Sequence, residues 1–558
     1  VLGNGFFSPP GSGFGQRHGG RGQPRLLLQL EVEMEDGGRR MIAADETWRW
    51  ARGEIVFNDM WNGYNEDRRL AKTGWTLPGY ADESWRTVGL VEPLDGELSA
   101  APGLVTRTLG MLAPERVEGN VAHFSTLSAG WPRLEVKNGK AGQTISLQGD
   151  YGVPCSFRLA ADGPTVLEPR LVWGSGPLKL TVTGLTEPLA AENIRIRQVG
   201  TDFTSTGSFT CSNPWFNTLH EVVLRTHRNY NLDYPVDPMR EKQGWTQDAE
   251  SFFNTAAYLT EVPGYYRTWW QDMADNQRPN GLLGSIMPLM GQCGSDWNCP
   301  WWSGMIAWLP WEHYLYYGDT RFLENAYEPM RRYVDYLDRI ASLGAGTRAL
   351  DFPDPHYHLN ADAARDRLLI WSGANDWQHP DGSINWYAST ETGPLVNMAA
   401  WYHYANVVSQ TAAMLGNTAD SAKYAAMARD IADRTNRKFL NSATGRYGQN
   451  TKDQTAQVLS LAVGMVPPET RELTRQRLLD AVRERNGHHA TGFVALPYLL
   501  RILAETGEGG MANRIVNQQD YPSWKTLVHH GVLAEGWEGG GAQMPSCGGS
   551  VGMWLYQS

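Results

Sequence analysis

Up to about residue 205, hydrophobic and polar residues of the chain alternate one by one. The clearest runs are "PRLEVKNGKAGQTISLQGDYG" and "NIRIRQVG", and turns that contain Gly, Asn-Gly or Asp-Gly interrupt the pattern. A period of two is typical of a strand with one buried face. Short strands separated by turns predict antiparallel β-sandwich domains rather than β-α-β units.

From about residue 206 the apolar residues recur every three or four positions, as they do on one face of a helix. Ser212 precedes the first such segment and is a candidate N-cap. Roughly a dozen helices joined by glycine-rich loops predict paired helices in a ring or bundle. We predict helices over residues 213–230, 246–259, 264–277, 303–318, 320–344, 393–416, 421–440, 455–465, 469–485 and 492–507.

These two patterns predict three domains. We place a first β-sandwich at residues 1–112, a second at 113–205 and a helical domain at 206–558. The chain starts at Val1, without a methionine or a signal peptide, in a segment that resembles the middle of a strand. We therefore expect upstream residues to be missing, and the sequence leaves a secreted or periplasmic location open.

Composition narrows the possible functions. Hydrophobic residues make up 41% and charged residues 20% of the 558 residues, so the chain can bury large cores. The net charge of −11 argues against a nucleic-acid partner, and no apolar stretch is long enough to span a membrane. The five cysteines stand at no metal-ligand spacing, so we expect neither a metal nor a cofactor. The 23 Trp and 23 Tyr fill cores but also stack on sugar rings, which favours a carbohydrate substrate.

Carboxylates crowd around a tryptophan in "DYPVDPMREKQGWTQDAE" (233–250). Its two prolines keep the first half out of a helix, and Thr246 is a candidate N-cap for the helix that follows. Glu241 lies in the loop between two cations and near Trp245, where burial or the cations would shift its pKa. A carboxyl in such a setting is a candidate general acid or base.

Two later loops place further acids beside tryptophans. "GVLAEGWEGGG" offers Glu535 and Glu538, and its glycines allow a backbone to approach a ligand closely. "GANDWQHP" offers Asp376 and Trp377. If one end of a helical ring collects these loops, it forms an acidic bowl with aromatic walls, which suits sugar hydrolysis.

Several spaced motifs resemble those of one known family. "NGYNEDRRLAKTGWTLPGYADESW" resembles the N-terminal β-domain signature of the bacterial α-L-rhamnosidases of glycoside hydrolase family 78. "DPMREKQGWTQDAE" resembles the acidic motif of their helical domain, which ends in Gly-Trp-Thr-Gly-Asp. "HHATGFVALPYLLRILAETG", "YPSW" and "SVGMWLY" match later landmarks in the same order. The resemblance covers nearly the whole chain.

The resemblance implies an (α/α)6 toroid catalytic domain preceded by N-terminal antiparallel β-sandwich domains. It also implies inverting hydrolysis that releases terminal α-L-rhamnose, with two carboxyl groups roughly 6.5–9.5 Å apart. By position, Glu241 takes the place of the general acid. The general base of the family lies in a Trp-Glu-Arg-Trp loop. Glu538 keeps its Trp-Glu pair and Glu535 its Glu-x-Trp pair, so both are candidates.

Other residues match positions that hold the sugar in this family. The resemblance implies that acids and one arginine contact the sugar hydroxyl groups and that tryptophans wall the ring. The implied ligands are Asp237, Arg240, Asp248 and Asp376, and the implied walls are Trp245, Trp302 and Trp377.

The chain departs from the family pattern at three places. One residue is missing between Asp237 and Arg240, Ser303-Gly304 stands where Gly-Asp is usual, and Met544-Pro545-Ser546 replaces an Asn-His. A sugar-binding acid and a histidine are thereby lost. The pocket could therefore suit a modified rhamnose.

These departures keep two other functions open. One is a lyase that acts on rhamnose linked to glucuronate, in which Arg240, Lys242, Lys525 or His529 would assist proton abstraction or neutralise the uronate. The other is a sugar-binding module without catalytic activity. The sequence does not give the aglycone or the oligomeric state.

Overall fold

The computed structural model describes residues 23–92, 98, 100, 104–169, 176–239, 241–289, 299–343, 370, 376–380, 392–448, 454–541 and 546–557. The chain divides into two compact units, one formed by Val1–Pro102 with Thr108–Gln198 and the other by Gly103–Arg107 with Val199–Ser558. The first unit is rich in strands and the second in helices, which confirms the predicted order of the two regions. The domain boundaries at residues 112 and 205 stay a prediction.

Strands make up most of the regular structure before Thr201, as the two-residue period predicts. In the strand Thr144–Gly149, the fully buried Ile145 and Leu147 alternate with more exposed neighbours. The strands are β1 (Gln29–Glu33), β2 (Arg39–Ala43), β3 (Arg49–Trp50), β4 (Ile55–Asp59), β5 (Gly63–Asp67), β6 (Arg86–Thr87), β7 (Thr106–Leu112), β8 (Arg116–Glu118), β9 (Val121–His123), β10 (Gly130–Gly139), β11 (Thr144–Gly149), β12 (Cys155–Arg158), β13 (Gly163–Leu167), β14 (Lys179–Thr183) and β15 (Ile194–Thr201).

Two sheets contribute to the core of the first unit. A seven-stranded sheet has the order β4-β5-β12-β11-β14-β9-β8, and a four-stranded sheet has the order β13-β10-β15-β7. Where the register is described, neighbouring strands run antiparallel except for β5 and β12, which are parallel. Leu134 and Val136 of one sheet share an apolar cluster with Leu147, Phe157 and Leu180 of the other. Burial of both inner faces in one layer stabilises the pair of sheets.

Helices dominate the second unit. They are α1 (Pro214–Tyr230), α2 (Thr246–Leu259), α3 (Pro263–Asn276), α4 (Pro300–Ser303), α5 (Met305–Tyr317), α6 (Thr320–Leu343), α7 (Thr392–Met414), α8 (Thr418–Phe439), α9 (Thr455–Ala462), α10 (Arg471–Arg483), α11 (Leu496–Glu505), α12 (Gly509–Val516), α13 (Trp524–Leu527) and α14 (Val551–Gln557). Two short hairpins interrupt them, β16 (Leu440–Asn441) with β17 (Arg446–Tyr447) and β18 (Val528–His529) with β19 (Val532–Leu533). Of these described helices, none combines the length and apolar character needed to cross a membrane.

The long helices confirm the predicted helical segments to within a few residues. The N-cap of α1 is Asn213 rather than Ser212, because the Asn213 side chain accepts a hydrogen bond from the Trp215 amide and Pro214 fits the first turn. The pattern missed the hairpins because a two-residue strand is too short to show a period.

Many tryptophans of the second unit serve its core. One continuous apolar cluster joins the helices, and nine tryptophans belong to it. The aromatic content of the sequence therefore reflects helix packing at least as much as a sugar-binding cleft. These residues are Trp269, Trp270, Trp301, Trp302, Trp308, Trp401, Trp524, Trp537 and Trp554.

A substitution at Gly304 tests how tightly this core is packed. It lies between α4 and α5, and a Cβ atom there would stand 2.0 Å from the fully buried ring of Tyr404. We expect Gly304→Ala to lower the free energy of unfolding in urea by about 1–3 kcal/mol, because overpacking displaces the ring. Gly264→Ala in α3 is the control, since a Cβ there meets nothing within 4 Å and alanine favours a helix. Equal stability of the two variants would contradict the packing.

Candidate active site

The loop that leads into α2 is fixed at the entry to the helix. The hydroxyl of Thr246 donates to the backbone oxygens of Ser285 (3.1 Å) and Trp302 (2.7 Å), and it does not cap the helix as the sequence suggested. Trp245 occupies the cap position and forms a bridge with Ile286. The loop between Asp237 and Trp245 is therefore anchored at its C-terminal end.

Asp237 organises the rest of this loop from inside. Its carboxylate accepts hydrogen bonds from the backbone amides of Met239 (3.0 Å) and Glu241 (3.2 Å), while its own amide donates to Gln243 O (3.0 Å). The Trp245 indole donates to the Glu241 carboxylate at 2.5 Å. Asp237 is 5% exposed and Glu241 7%. These hydrogen bonds hold two of the predicted acids close together.

Lys242 contributes a further hydrogen bond near these acids. It has a left-handed backbone with φ of 55°, it is buried, and its Nζ donates to Pro238 O at 3.4 Å. Burial lowers the pKa of Lys242 to about 8, and the nearby Asp237 raises it. Arg240 lies outside the described residues.

Asp248 interacts with predicted acids from two different loops. It lies in the first turn of α2, is half-buried, and accepts a hydrogen bond from the Cys547 thiol at 3.0 Å. Burial raises the pKa of Asp248 to about 8, the thiol lowers it, and the carboxylates of Glu535, Asp237 and Glu241 raise it further. Asp248 therefore lies close enough to these three carboxyl groups to be repelled by their charges.

The two candidate bases have different surroundings. Glu535 is half-buried, and its carboxylate accepts a hydrogen bond from the Trp377 indole at 3.1 Å. Glu538 is exposed to solvent. Trp537 between them is buried against Phe493, and its indole donates to Gln378 O at 2.9 Å. The buried Trp537 thus separates one acid that faces the carboxyl cluster from one on the surface.

Both carboxylate oxygens of Asp376 accept hydrogen bonds from protein groups. It is 2% exposed. One oxygen accepts from the amides of Val494 (3.0 Å) and Ala495 (3.1 Å) at the start of α11, and the other accepts from the Gly492 amide (2.6 Å) and the Thr455 hydroxyl. A carboxylate at a helix N-terminus is favourable. These bonds hold the segment that carries Trp377 against the helices.

Tryptophans at the site fall into two groups. Trp245 and Trp377 are partly exposed and each donates to a carboxylate, whereas Trp302 is 2% exposed within the apolar core. Only the first two have surface available to a ligand.

Sequence reasoning missed the residues that reach Asp248 from the C-terminal end. Ser546 donates its hydroxyl to the backbone oxygen of Asp248 (2.5 Å), and Cys547 bonds its carboxylate. Ser546 lies in the segment that replaces an Asn-His of the family pattern, and none of the motifs quoted above contains Cys547. The Gly548-Gly549 pair that follows was the one available signal of a close backbone approach.

Other candidate groups named from the sequence contact aromatic rings. The ammonium group of Lys525 lies 4.1 Å from the ring centre of Trp215, and the rings of His529 and His530 lie 3.8 Å apart. Within the described ranges, no group of three or more His, Cys, Asp or Glu side chains is arranged to hold a metal ion.

Two domain models match the chain. The bacterial α-L-rhamnosidase six-hairpin glycosidase domain matches residues 204–558, and the α-L-rhamnosidase N-terminal domain matches residues 1–108. The chain belongs to the bacterial α-L-rhamnosidase family. This membership confirms the resemblance inferred from the motifs.

Curated members of the α-L-rhamnosidase family are similar along almost the whole chain. An α-L-rhamnosidase of Streptomyces avermitilis is 28% identical over 96% of this chain and 52% of its own length. One of Formosa agariphila is 24% identical over 96% of this chain and 59% of its own. The chain thus spans little more than half the length of these relatives.

Solved α-L-rhamnosidase structures are similar in fold. The enzyme from Dictyoglumus thermophilum aligns with a TM-score of 0.84 and 26% identity, over 96% of this chain and 61% of its own. The Streptomyces avermitilis enzyme complexed with L-rhamnose aligns with a TM-score of 0.83 and 26% identity, over 99% and 53%.

A substitution at Asp376 tests whether its hydrogen bonds stabilise the fold around the candidate site. We expect Asp376→Asn to lower the free energy of unfolding by about 1–3 kcal/mol, because an amide nitrogen would face backbone donors that the carboxylate now satisfies. Urea denaturation measures the change. Asp433→Asn on the exposed surface of α8 is the control, with an expected change within about 0.5 kcal/mol. A similar small change for Asp376→Asn would contradict the supporting role.

Proposed function

We propose that this chain carries an inverting exo-α-L-rhamnosidase, a hydrolase that releases terminal α-L-rhamnose or a modified rhamnose from a glycoside. The family membership supports the substrate class. The observation that carries the proposal is the cluster of Asp237, Glu241, Asp248 and Glu535, in which the carboxyl groups interact with Asp248 from two separate loops. Inverting hydrolysis needs two carboxyl groups on opposite faces of one sugar ring. We further propose that the helices form the (α/α)6 toroid of the family.

Glu241 is the proposed general acid. Its carboxyl is buried and held by the Trp245 indole. In the reaction its proton passes to the glycosidic oxygen as the bond to the anomeric carbon breaks. The short loop around Asp237 fixes the backbone of Glu241 and so limits the positions that its carboxyl can take.

Glu535 is the proposed general base, in preference to Glu538. A base must lie within the site and accept a proton from a water molecule on the face opposite the leaving group. Glu535 bonds to Trp377 and interacts with Asp248, whereas Glu538 is exposed. The Glu535 carboxylate would take the proton of the attacking water while the oxygen of that water bonds to the anomeric carbon.

The remaining implied site residues take narrower roles. Asp248 is the proposed sugar ligand, with Arg240 added on the family resemblance alone. Trp245 and Trp377 are the proposed walls of the ring, since both are partly exposed. We propose that Asp237, Asp376 and Trp302 support these groups from behind, because their carboxylates or rings are buried among protein partners.

Paired substitutions test the choice of base. We expect Glu535→Gln to reduce hydrolysis of an aryl α-L-rhamnoside by about 100- to 10,000-fold, the usual contribution of a general acid or base. Glu538→Gln, three residues away, should retain nearly full activity because its side chain is exposed. A large loss in Glu538→Gln with little loss in Glu535→Gln would reverse the assignment.

The product identifies the type of reaction. Proton NMR during turnover should detect β-L-rhamnose first, because inversion changes the anomeric configuration, and Glu241→Gln should slow its release from a substrate with a poor leaving group. Initial release of α-L-rhamnose would contradict inversion. An unsaturated uronate that absorbs ultraviolet light would indicate a lyase, and rhamnose binding without any product would indicate a binding module.

A further inference from the structure

The turn that precedes α14 is pressed against α2. Ser546 donates its hydroxyl to the backbone oxygen of Asp248 (2.5 Å), Thr255 donates to Gly549 O (2.9 Å), and the Trp524 indole donates to Gly548 O (2.8 Å). Thr255 and Trp524 thus fix the backbone that follows Cys547, and the side chain of Ser546 attaches the residue before it to α2.

Two glycines allow this approach. A Cβ atom on Gly549 would stand 2.2 Å from the Phe252 ring, and one on Gly548 would stand 2.3 Å from a methyl carbon of Leu527. A larger residue would push the turn away from α2 at Gly549 and away from α13 at Gly548. The position of Cys547 relative to Asp248 is therefore set by the packing of its neighbours.

The Cys547 thiol donates a hydrogen bond to the carboxyl group of Asp248. Its side chain is buried, and Sγ lies 3.0 Å from Oδ1 of Asp248. No other donor within the described ranges reaches this carboxyl group. Burial and the carboxylate keep the pKa of the Cys547 thiol well above its usual value, so the thiol retains its proton and can donate.

We propose that Cys547 is a positioning residue that orients Asp248 and determines in which protonation form this carboxyl meets the sugar. The inference rests on the proposed function for the sugar contact, but the contact between thiol and carboxyl does not. A thiol is a weak donor and stabilises a carboxylate less than a hydroxyl, an amide or a cation does.

The groups around Asp248 also favour its protonated form. Glu535, Asp237 and Glu241 face it with carboxyl groups, and Tyr230 of α1 interacts with both Asp248 and Cys547. The ionised carboxylates of Glu535, Asp237 and Glu241 disfavour a charge on Asp248. With its pKa raised to about 8, Asp248 is mainly protonated at neutral pH. A protonated carboxyl can donate a hydrogen bond to a sugar oxygen, and it loses this ability as the pH rises past about 8.

Substitutions at Cys547 test the proposal through the pH profile of kcat/KM. Cys547→Ser supplies a stronger donor, lowers the pKa of Asp248 and should move the alkaline limb to lower pH. Cys547→Ala removes the donor, should move this limb to higher pH and should raise KM by roughly three- to tenfold, the effect of one lost hydrogen bond. Asp248→Asn should abolish the shift produced by Cys547→Ser. Cys211→Ser, at a half-buried cysteine outside the cluster, is the control and should leave the profile unchanged.

A readout without turnover separates this inference from the proposed function. The infrared band of the protonated carboxyl, taken as the difference between the natural protein and Asp248→Asn, should titrate near pH 8, and at lower pH in Cys547→Ser. Such a titration in a protein that releases no rhamnose would reject the proposed function and keep the thiol contact. An unchanged titration and an unchanged kcat/KM profile in both Cys547 variants would overturn the inference.

Discussion

Burial of Asp248 beside three other carboxyl groups is the constraint on which the rest of the site depends. Asp237, Glu241 and Glu535 come from two loops, and each of them interacts with Asp248 in the first turn of α2. Placing like charges together raises the free energy of the charged forms. The fold must therefore hold each carboxyl against this repulsion, and it does so with separate and mostly neutral donors.

Each of these donors is a group of the protein in a loop or at the end of a helix. Backbone amides hold Asp237, the Trp245 indole holds Glu241, the Trp377 indole holds Glu535 and the Cys547 thiol holds Asp248. Neutral donors fix the direction of a carboxyl without cancelling its charge. These hydrogen bonds hold the proposed acid and base of the reaction in fixed positions within one site.

The sequence predicted the parts of the fold that depend on local patterns. α2 could be located at 246–259 because its apolar residues recur at helical spacing over several turns. A local pattern does not show in which direction the side chains of the acids point. Glu535 and Glu538 lie three residues apart in one glycine-rich loop, and the burial of Trp537 between them separates their directions. This burial depends on residues such as Phe493, which are distant in sequence. For the same reason the sequence could not show that the oxygens of Asp376 accept hydrogen bonds from backbone amides more than a hundred positions away.

The most direct test of this account is a crystal structure of the protein with L-rhamnose bound. We predict that the sugar contacts Glu241, Asp248 and Glu535 together, and that the carboxyl groups of Glu241 and Glu535 lie roughly 6.5–9.5 Å apart, which leaves room for the attacking water. A sugar bound away from these residues, or a separation of about 5–5.5 Å as in retaining enzymes, would contradict it.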